Sequence, residues 1–313
     1  MHAIEVTGLK KTFGRVTAID SLSFSVDGGS VFAILGPNGA GKTTTLRILA
    51  CIISPSAGRA TVCDVDIEKE PEKVRRVVGI VTENPSLYER LTAEENLEFF
   101  AQAYGLNDTA ERKKRIRNLL EEFDLWNRRK DRAGTFSKGM KQKLAFIRAI
   151  IHQPDVLLLD EPTSNLDPAS SHLMREKMKD MKKEGKALVL STHRLDDVER
   201  VADRVMIMVN GRSAAFGTPH QLLELGEDER YVEIKIRGFD GNVKGLLDGL
   251  AVVKELNELD GYESLKLEVS NIDTDVPEIV RRLVAAKVDV ISVRPSTKSL
   301  EEVYMKVVGR QIL

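Results

Sequence analysis

The spacing of apolar residues changes several times along the chain, and each change predicts a new element. Ile4 and Val6 alternate with polar neighbours, and so do Leu22, Phe24 and Val26, as in half-buried strands. Val31-Phe32-Ala33-Ile34-Leu35 is unbroken, the pattern of a strand covered on both faces. A glycine-rich turn follows, then a helix from about Lys42 to Ala50. Between about 85 and 150 the period becomes helical. Thr92 and Glu95 form a capping box ahead of Leu97, Phe99 and Phe100, and Asp108 and Glu111 do the same ahead of Ile116, Leu119, Leu120 and Phe123. Strand patterns return at 155–160, 187–191 and 204–209, separated by helices starting near Pro168 and Leu195. Short apolar strands alternating with helices predict an α/β fold with a largely parallel sheet.

The polar stretch Leu225-Gly226-Glu227-Asp228-Glu229 predicts a boundary. Beyond it the expected order is strand (231–237), helix (242–250), strand (252–257), a turn at Asp260-Gly261, strand (264–269), helix (276–286) and strand (289–294). That is βαββαβ, a small ferredoxin-like α+β unit. A last helix starts at Ser299, capped with Glu302. Two domains are expected, 1–225 and 228–313, the first containing a helical subdomain at about 85–150.

Composition narrows the function classes. A length of 313 residues suits two domains, and 42% apolar residues suffice for a core. The net charge of −1 gives no global sign of a nucleic-acid or anionic-lipid partner, and no nucleic acid is expected. Cys51 and Cys63 have neither the number nor the spacing of a metal site or a disulfide framework. Residues Met1–Lys10 lack a signal peptide's apolar stretch, and runs such as Val156–Leu159 and Val205–Val209 fall far short of the roughly 18–20 residues a membrane helix needs. A soluble chain is expected, with any membrane role supplied by a partner.

The strongest chemical signal is Gly36-Pro37-Asn38-Gly39-Ala40-Gly41-Lys42-Thr43, which fits G-x-x-x-x-G-K-[ST] between an expected strand and an expected helix. Its glycines let backbone amides turn toward a polyphosphate, and the helix start adds unpaired N–H groups. Lys42 reaches the terminal phosphates and the Thr43 hydroxyl can ligate Mg²⁺. Chance would give the four fixed positions in such a chain with odds on the order of one in a hundred. Alone, the motif says nucleotide phosphate binding, which suits kinases, GTPases and motors equally. Val156-Leu157-Leu158-Leu159 ends in Asp160 and Glu161, at the rim where α/β sheets bind ligands. Two acids ending a strand are ordinarily only solvated. With the phosphate loop upstream, Asp160 reads as a Mg²⁺ ligand and Glu161 as the group that polarises an attacking water.

Leu159-Asp160-Glu161-Pro162-Thr163-Ser164-Asn165-Leu166-Asp167-Pro168 resembles the extended Walker B and D-loop of ABC ATPases. Phe136-Ser137-Lys138-Gly139-Met140-Lys141-Gln142 resembles their signature, and Ser191-Thr192-His193 their switch histidine. With the phosphate loop, four motifs stand in the family's order over about residues 1–220. The resemblance implies a P-loop NTPase of ABC type, with an antiparallel β portion near the N-terminus and a helical subdomain. It implies hydrolysis of ATP to ADP and phosphate with Mg²⁺. It also implies head-to-tail pairing, as a homodimer or with a related ATPase, and a cytoplasmic chain held peripherally on the inner face of the cell membrane by a separate integral membrane permease.

Carried onto this chain, the resemblance implies that Phe13 stacks on adenine. Gly36, Pro37, Asn38, Gly39, Ala40, Gly41, Lys42, Thr43 and Thr44 hold the phosphates. Ser137 and Gly139 face the γ-phosphate bound by the opposite subunit, and Asp167 lies across the interface. Glu161 and His193, with Lys42, are the catalytic set. The glutamine of the family's Q-loop is expected in Val78–Pro85, where the register gives Glu83, a candidate for both metal and water. A shift of one residue would give Asn84 instead. Lys138 and Phe136 depart from the commonest signature residues. The tail Ser299-Leu300-Glu301-Glu302-Val303-Tyr304 resembles that of ATPases in drug-resistance and polyketide or lipid export. The competing expectations are an ABC protein of translation or DNA repair, usually with two ATPase domains or a long coiled coil, and a soluble P-loop kinase or GTPase.

Overall fold

The computed structural model describes residues 2–164, 166–224, 230–238, 243–259, 262–296 and 299–312. In chain order the elements are β1 (His2–Phe13), β2 (Val16–Asp27), β3 (Val31–Leu35), α1 (Lys42–Leu49), β4 (Ala57–Val62), β5 (Val65–Asp66), α2 (Pro71–Val77) and β6 (Val78–Val81). Next come α3 (Ala93–Ala103), α4 (Thr109–Glu122), α5 (Lys138–Ile150), β7 (Val156–Asp160), α6 (Pro168–Lys183), β8 (Ala187–Thr192), α7 (Leu195–Val201), β9 (Arg204–Val209), β10 (Arg212–Gly217) and α8 (Pro219–Glu224). The chain continues with β11 (Arg230–Arg237), α9 (Val243–Leu246), β12 (Ala251–Leu259), β13 (Tyr262–Val269), α10 (Ile272–Ala285), β14 (Asp289–Ser296) and α11 (Leu300–Ile312). It divides into one unit of residues 1–220 with 306–313 and another of residues 221–305. The expected boundary stretch 225–229 and the turn at Asp260-Gly261 lie outside the described residues.

In the first unit the unbroken apolar strands occupy the centre of a six-stranded sheet, ordered β10-β9-β3-β8-β7-β6. β9, β3, β8, β7 and β6 run parallel, and β10 closes one edge antiparallel. The period of two along a strand divides the core into two layers. Leu157, Leu159, Leu188 and Leu190 face the layer built with α3–α6, including Leu97, Leu120, Phe123 and Phe146. Val156, Leu158, Ala187 and Val189 face the layer built with α1 and an antiparallel sheet, ordered β2-β1-β4-β5. Both sides of β3, β7 and β8 are therefore covered, which is why none of their residues is exposed.

Helix starts follow local chemistry. Thr92 caps α3 through the Glu95 amide while the Glu95 carboxylate takes the Thr92 amide, the expected box. Asp108 caps α4 through the Ala110 and Glu111 amides, a one-sided cap where a reciprocal box was expected. An aspartate reaches two amides by itself and leaves Glu111 with less to do.

The second unit has βαββαβ order and an antiparallel sheet β12-β13-β11-β14, the ferredoxin-like arrangement. Val232, Ile234 and Ile236 of β11 pack with Leu265, Leu267, Ile279 and Leu283. Two helices differ from expectation. α9 is a single turn, Val243–Leu246, and Gly249 beyond it is left-handed at φ 79°. α10 starts at Ile272 because the Asn271 side chain caps the Asp273 amide, so Pro277 lies inside the helix instead of near its start.

Candidate nucleotide site

The central sheet brings the chemistry together. β8 lies between β3 and β7. The loops at the three carboxyl ends therefore place Gly36–Thr43, Glu161 and His193 around one crevice, the usual ligand position of a parallel sheet. The crevice is a cavity of about 650 Å³, lined by Asn38, Gly39, Ala40, Gly41, Lys42, Thr43, Thr44, Glu83, Asp160, Glu161 and His193. Ala18, Ser164 and Arg194 line it too, and the motifs did not single them out.

The glycines of the loop are dictated by space and by backbone conformation. A Cβ on Gly36 would stand 2.3 Å from the Met208 carbonyl oxygen. Gly41 has φ 105°, and a Cβ there would meet the Ala18 carbonyl oxygen at 2.4 Å. Gly41 is also the N-cap of α1 and offers no side chain to the first-turn amides, which leaves them for a ligand. Lys42 is the first residue of that helix and is buried. Its Nζ donates to the Gly36 carbonyl at 2.7 Å and the Pro37 carbonyl at 3.1 Å. Burial lowers its pKa, opposed by the negative charges of Glu161, Asp160 and Glu83.

Asp160 ends β7 and Glu161 follows it, both nearly out of solvent at 3% and 6% exposed. Glu161 has φ 50°, left-handed for a residue with a Cβ. Its Oε1 accepts from the His193 amide at 3.0 Å and lies 2.7 Å from His193 Nδ1. Its Oε2 accepts from the Thr192 hydroxyl at 3.3 Å. Glu83 reaches the cavity from the end of β6, whereas Asn84 is not among the lining residues and its carbonyl takes the Thr82 hydroxyl at 2.7 Å.

The remaining expected residues stand elsewhere. Phe13, at the end of β1, is half exposed under the Lys11 ammonium, 5.0 Å from its ring centre. Ser137 is the N-cap of α5 and its hydroxyl takes the Met140 amide at 3.2 Å, with Gly139 in the first turn. Asp167 caps α6 through the Ser170 amide at 2.8 Å and the Ser170 hydroxyl at 2.6 Å, and these bonds lower its pKa. None of Phe13, Gly36, Pro37, Ser137, Gly139 and Asp167 lines the cavity of this one chain.

Among the described residues no group of three or more His, Cys, Asp or Glu could hold a metal ion alone. A nucleotide-bound Mg²⁺ does not need one, since a hydroxyl, one or two carboxylates, water and phosphate oxygens suffice. Thr43, Asp160 and Glu83 fit that donor set, and the glycine cradle fits a polyphosphate.

Fold and crevice define a P-loop nucleoside-triphosphate hydrolase. The model of the ABC transporter family matches residues 19–164. The linearmycin resistance ATP-binding protein LnrL of Bacillus subtilis is 31% identical over 312 residues, 99% of each chain. The Nod factor export ATP-binding protein I of a Rhizobium species is 34% identical over 311 residues, 99% of this chain and 98% of that protein. Among solved structures, the ATP-binding subunit of an ABC transporter shares 37% identity at TM-score 0.67, over 71% of this chain and 92% of that one. A dimeric ATP-binding cassette in a post-hydrolysis state with ADP and Pi shares 25% identity at TM-score 0.64, over 69% and 98%. The chain belongs to the ABC transporter ATP-binding family. It is the ATP-binding, ATP-hydrolysing subunit of a transporter, and the reading in translation or DNA repair does not fit. One of these cassettes is dimeric, and another solved relative, cbiO1 of Clostridium perfringens, is part of the ABC transporter complex cbiONQ.

Proposed function

We propose that this chain drives an exporter, pairing head to tail as a homodimer or with a related ATPase and docking on a separate integral membrane permease at the cytoplasmic face of the cell membrane. The observation that carries the reading is the convergence of Lys42, Asp160, Glu161 and His193 on one crevice. Export is supported by likeness to proteins named for linearmycin resistance and Nod factor export over nearly the whole chain, second unit included. Among the described residues no helix is long and apolar enough to cross a membrane, so the spanning part is assigned to a partner.

The residue roles follow from chemistry. The amides of Asn38–Thr44, with Lys42, hold the phosphates. Thr43, Asp160 and Glu83 would hold Mg²⁺, which when bound would neutralise charge on the transferring phosphoryl group. Glu161 orients the attacking water and takes its proton, while His193 fixes that carboxylate and faces the γ-phosphate. Water attacks the γ-phosphorus in line, the bond to the bridging oxygen breaks, and ADP leaves. Ser137 and Gly139 serve the opposite subunit's γ-phosphate, Asp167 the interface, and Phe13 the adenine ring. The domain from about residue 228 onward is assigned to contacts instead of chemistry.

Affinity purification from detergent-solubilised membranes tests the assignment. An integral membrane protein should copurify, and reconstitution with it should raise ATP turnover. Purification free of any membrane protein, with full turnover by the chain alone, would overturn the exporter assignment.

A further inference from the structure

Glu161 holds a left-handed backbone at φ 50°. A residue with a Cβ keeps such a conformation only where its surroundings over-determine it. Part of the restraint is local. The Glu161 amide donates to the Ser191 carbonyl at 2.9 Å, and its own carbonyl accepts from the Ser164 amide and hydroxyl at 3.1 and 2.8 Å. The turn is also tied to a polar hub centred on Asp197, which lies outside the nucleotide motifs and reaches Thr163 of the Walker B run. Asp197, in α7, is 0% exposed. Its Oδ1 accepts from Arg175 of α6 at 2.8 Å, and its Oδ2 accepts from the Thr163 hydroxyl. Arg194 lies 3.7 Å from that Oδ2 through Nε and donates through Nη1 to the Thr163 carbonyl at 3.2 Å.

The hub therefore grips the chain just past each member of the catalytic pair. Thr163 is two residues past Glu161, and Arg194 is the residue after His193. A buried carboxylate is costly unless paired and hydrogen-bonded, and an apolar cluster of equal volume stabilises at least as well. What the polar hub adds is direction, because each bond fixes where a backbone turn points. We infer that Asp197, with Arg175, Thr163 and Arg194, is a positioning unit that holds the Glu161 turn in register with His193. Loss of Asp197, Arg175 or the Thr163 hydroxyl lowers turnover through the geometry of Glu161 and leaves ATP binding in place, because none of these three residues lines the cavity, whereas Arg194 does. The inference rests on the reading of Glu161 as the group that acts on water.

Thr163→Val keeps shape and removes the hydroxyl, and Thr163→Ser restores it. Turnover, KM for ATP, binding of a fluorescent ATP analogue and thermal melting are measured on the full chain, alone and in a Glu161→Gln background. Thr163→Val should lose about tenfold or more in kcat with analogue affinity within about threefold, Thr163→Ser should recover most of it, and Thr163→Val should add nothing to Glu161→Gln. Should Thr163→Val not fold, Asp197→Asn, which keeps volume and one acceptor, takes the same measurements. Turnover within about twofold of wild type, a matching loss of analogue affinity, or equal factors in both backgrounds would overturn the inference alone. Wild-type turnover by Glu161→Gln would remove the role of Glu161, and the inference with it.

Discussion

Oε1 of Glu161 is shared by two nitrogens of one residue, the His193 amide at 3.0 Å and Nδ1 at 2.7 Å. The residue just past β8 thus aims the carboxylate just past β7, and the two strands are direct neighbours in the sheet. Orientation of the candidate base is a property of the sheet, not of a mobile loop.

Glu161→Gln follows from this. The amide fills the same volume but accepts no proton, so turnover should fall by about 10²–10⁴-fold, the usual worth of a general base. Phosphate contacts come from Lys42 and the loop amides, so ATP binding should persist. Removing a negative charge should ease closure of two phosphate-laden subunits, and sizing chromatography with ATP should show more dimer than for wild type. Wild-type turnover, or loss of ATP binding in a folded protein, would contradict the assignment.

The phosphate loop gives a contrast between neighbouring glycines. A Cβ on Gly36 meets the Met208 carbonyl at 2.3 Å, while one on Gly39 has nothing within 4 Å. Gly39→Ala bears only its left-handed φ of 81°, a cost of about 1–2 kcal/mol. Gly36→Ala must displace backbone of β9 and should cost roughly twice that or more. Urea melts order the two, and equal stability losses would contradict the geometry.

These glycines were legible in the sequence because the phosphate loop is contiguous and each residue's task is local. The Thr92 box was legible for the same reason, and so were the buried strands at 31–35 and 156–160, whose patterns need no partner to be read. What sequence could not show is assembled from afar. Ala18 reaches the cavity from β2, and Asp197 meets Thr163 and Arg175 across 34 and 22 positions. No periodicity encodes such meetings. Arg194 left one local trace, a basic residue directly after the strand-end histidine. The start of α10 was not legible: a helix is expected from 276, but the Asn271 cap begins it at Ile272 and carries Pro277 inside.

His152 makes stability depend on pH. Its ring stacks on Tyr104 with centres 3.8 Å apart, Nε2 lies 3.1 Å from the Val78 carbonyl, and Nδ1 is buried without a partner. Burial pushes its pKa down to about 4. The fold keeps the ring neutral, whereas the unfolded chain takes up a proton below about 6.5. The unfolded state binds more protons, so this contribution is complete above about pH 6.5 and is lost as pH falls toward 4. The gap corresponds to about 3 kcal/mol at most. His152→Phe keeps the stacking and removes the titration, so urea midpoints between pH 7 and 4.5 should fall less steeply than for wild type. Parallel slopes would place the pH dependence elsewhere.

Glu83→Gln tests which residue of the 82–85 segment serves the metal. Glu83 lines the cavity and its charge acts on Lys42, while Asn84 is outside the lining. A carboxylate there adds negative charge to a crevice already holding Asp160 and Glu161. That charge should favour Mg²⁺ and oppose a triphosphate. Glutamine keeps the size and one acceptor oxygen, gains a donor and loses the charge. ATP hydrolysis should persist, with weaker apparent Mg²⁺ affinity and unchanged or tighter ATP binding. The shift should shrink at high ionic strength, as screening weakens an interaction in a crevice open to water. ATPase rates across a magnesium titration, at low and high salt, give the answer. Superimposable curves for wild type and Glu83→Gln, with a clear defect in Asn84→Ala, would move the role to Asn84 and require the loop to shift by one residue.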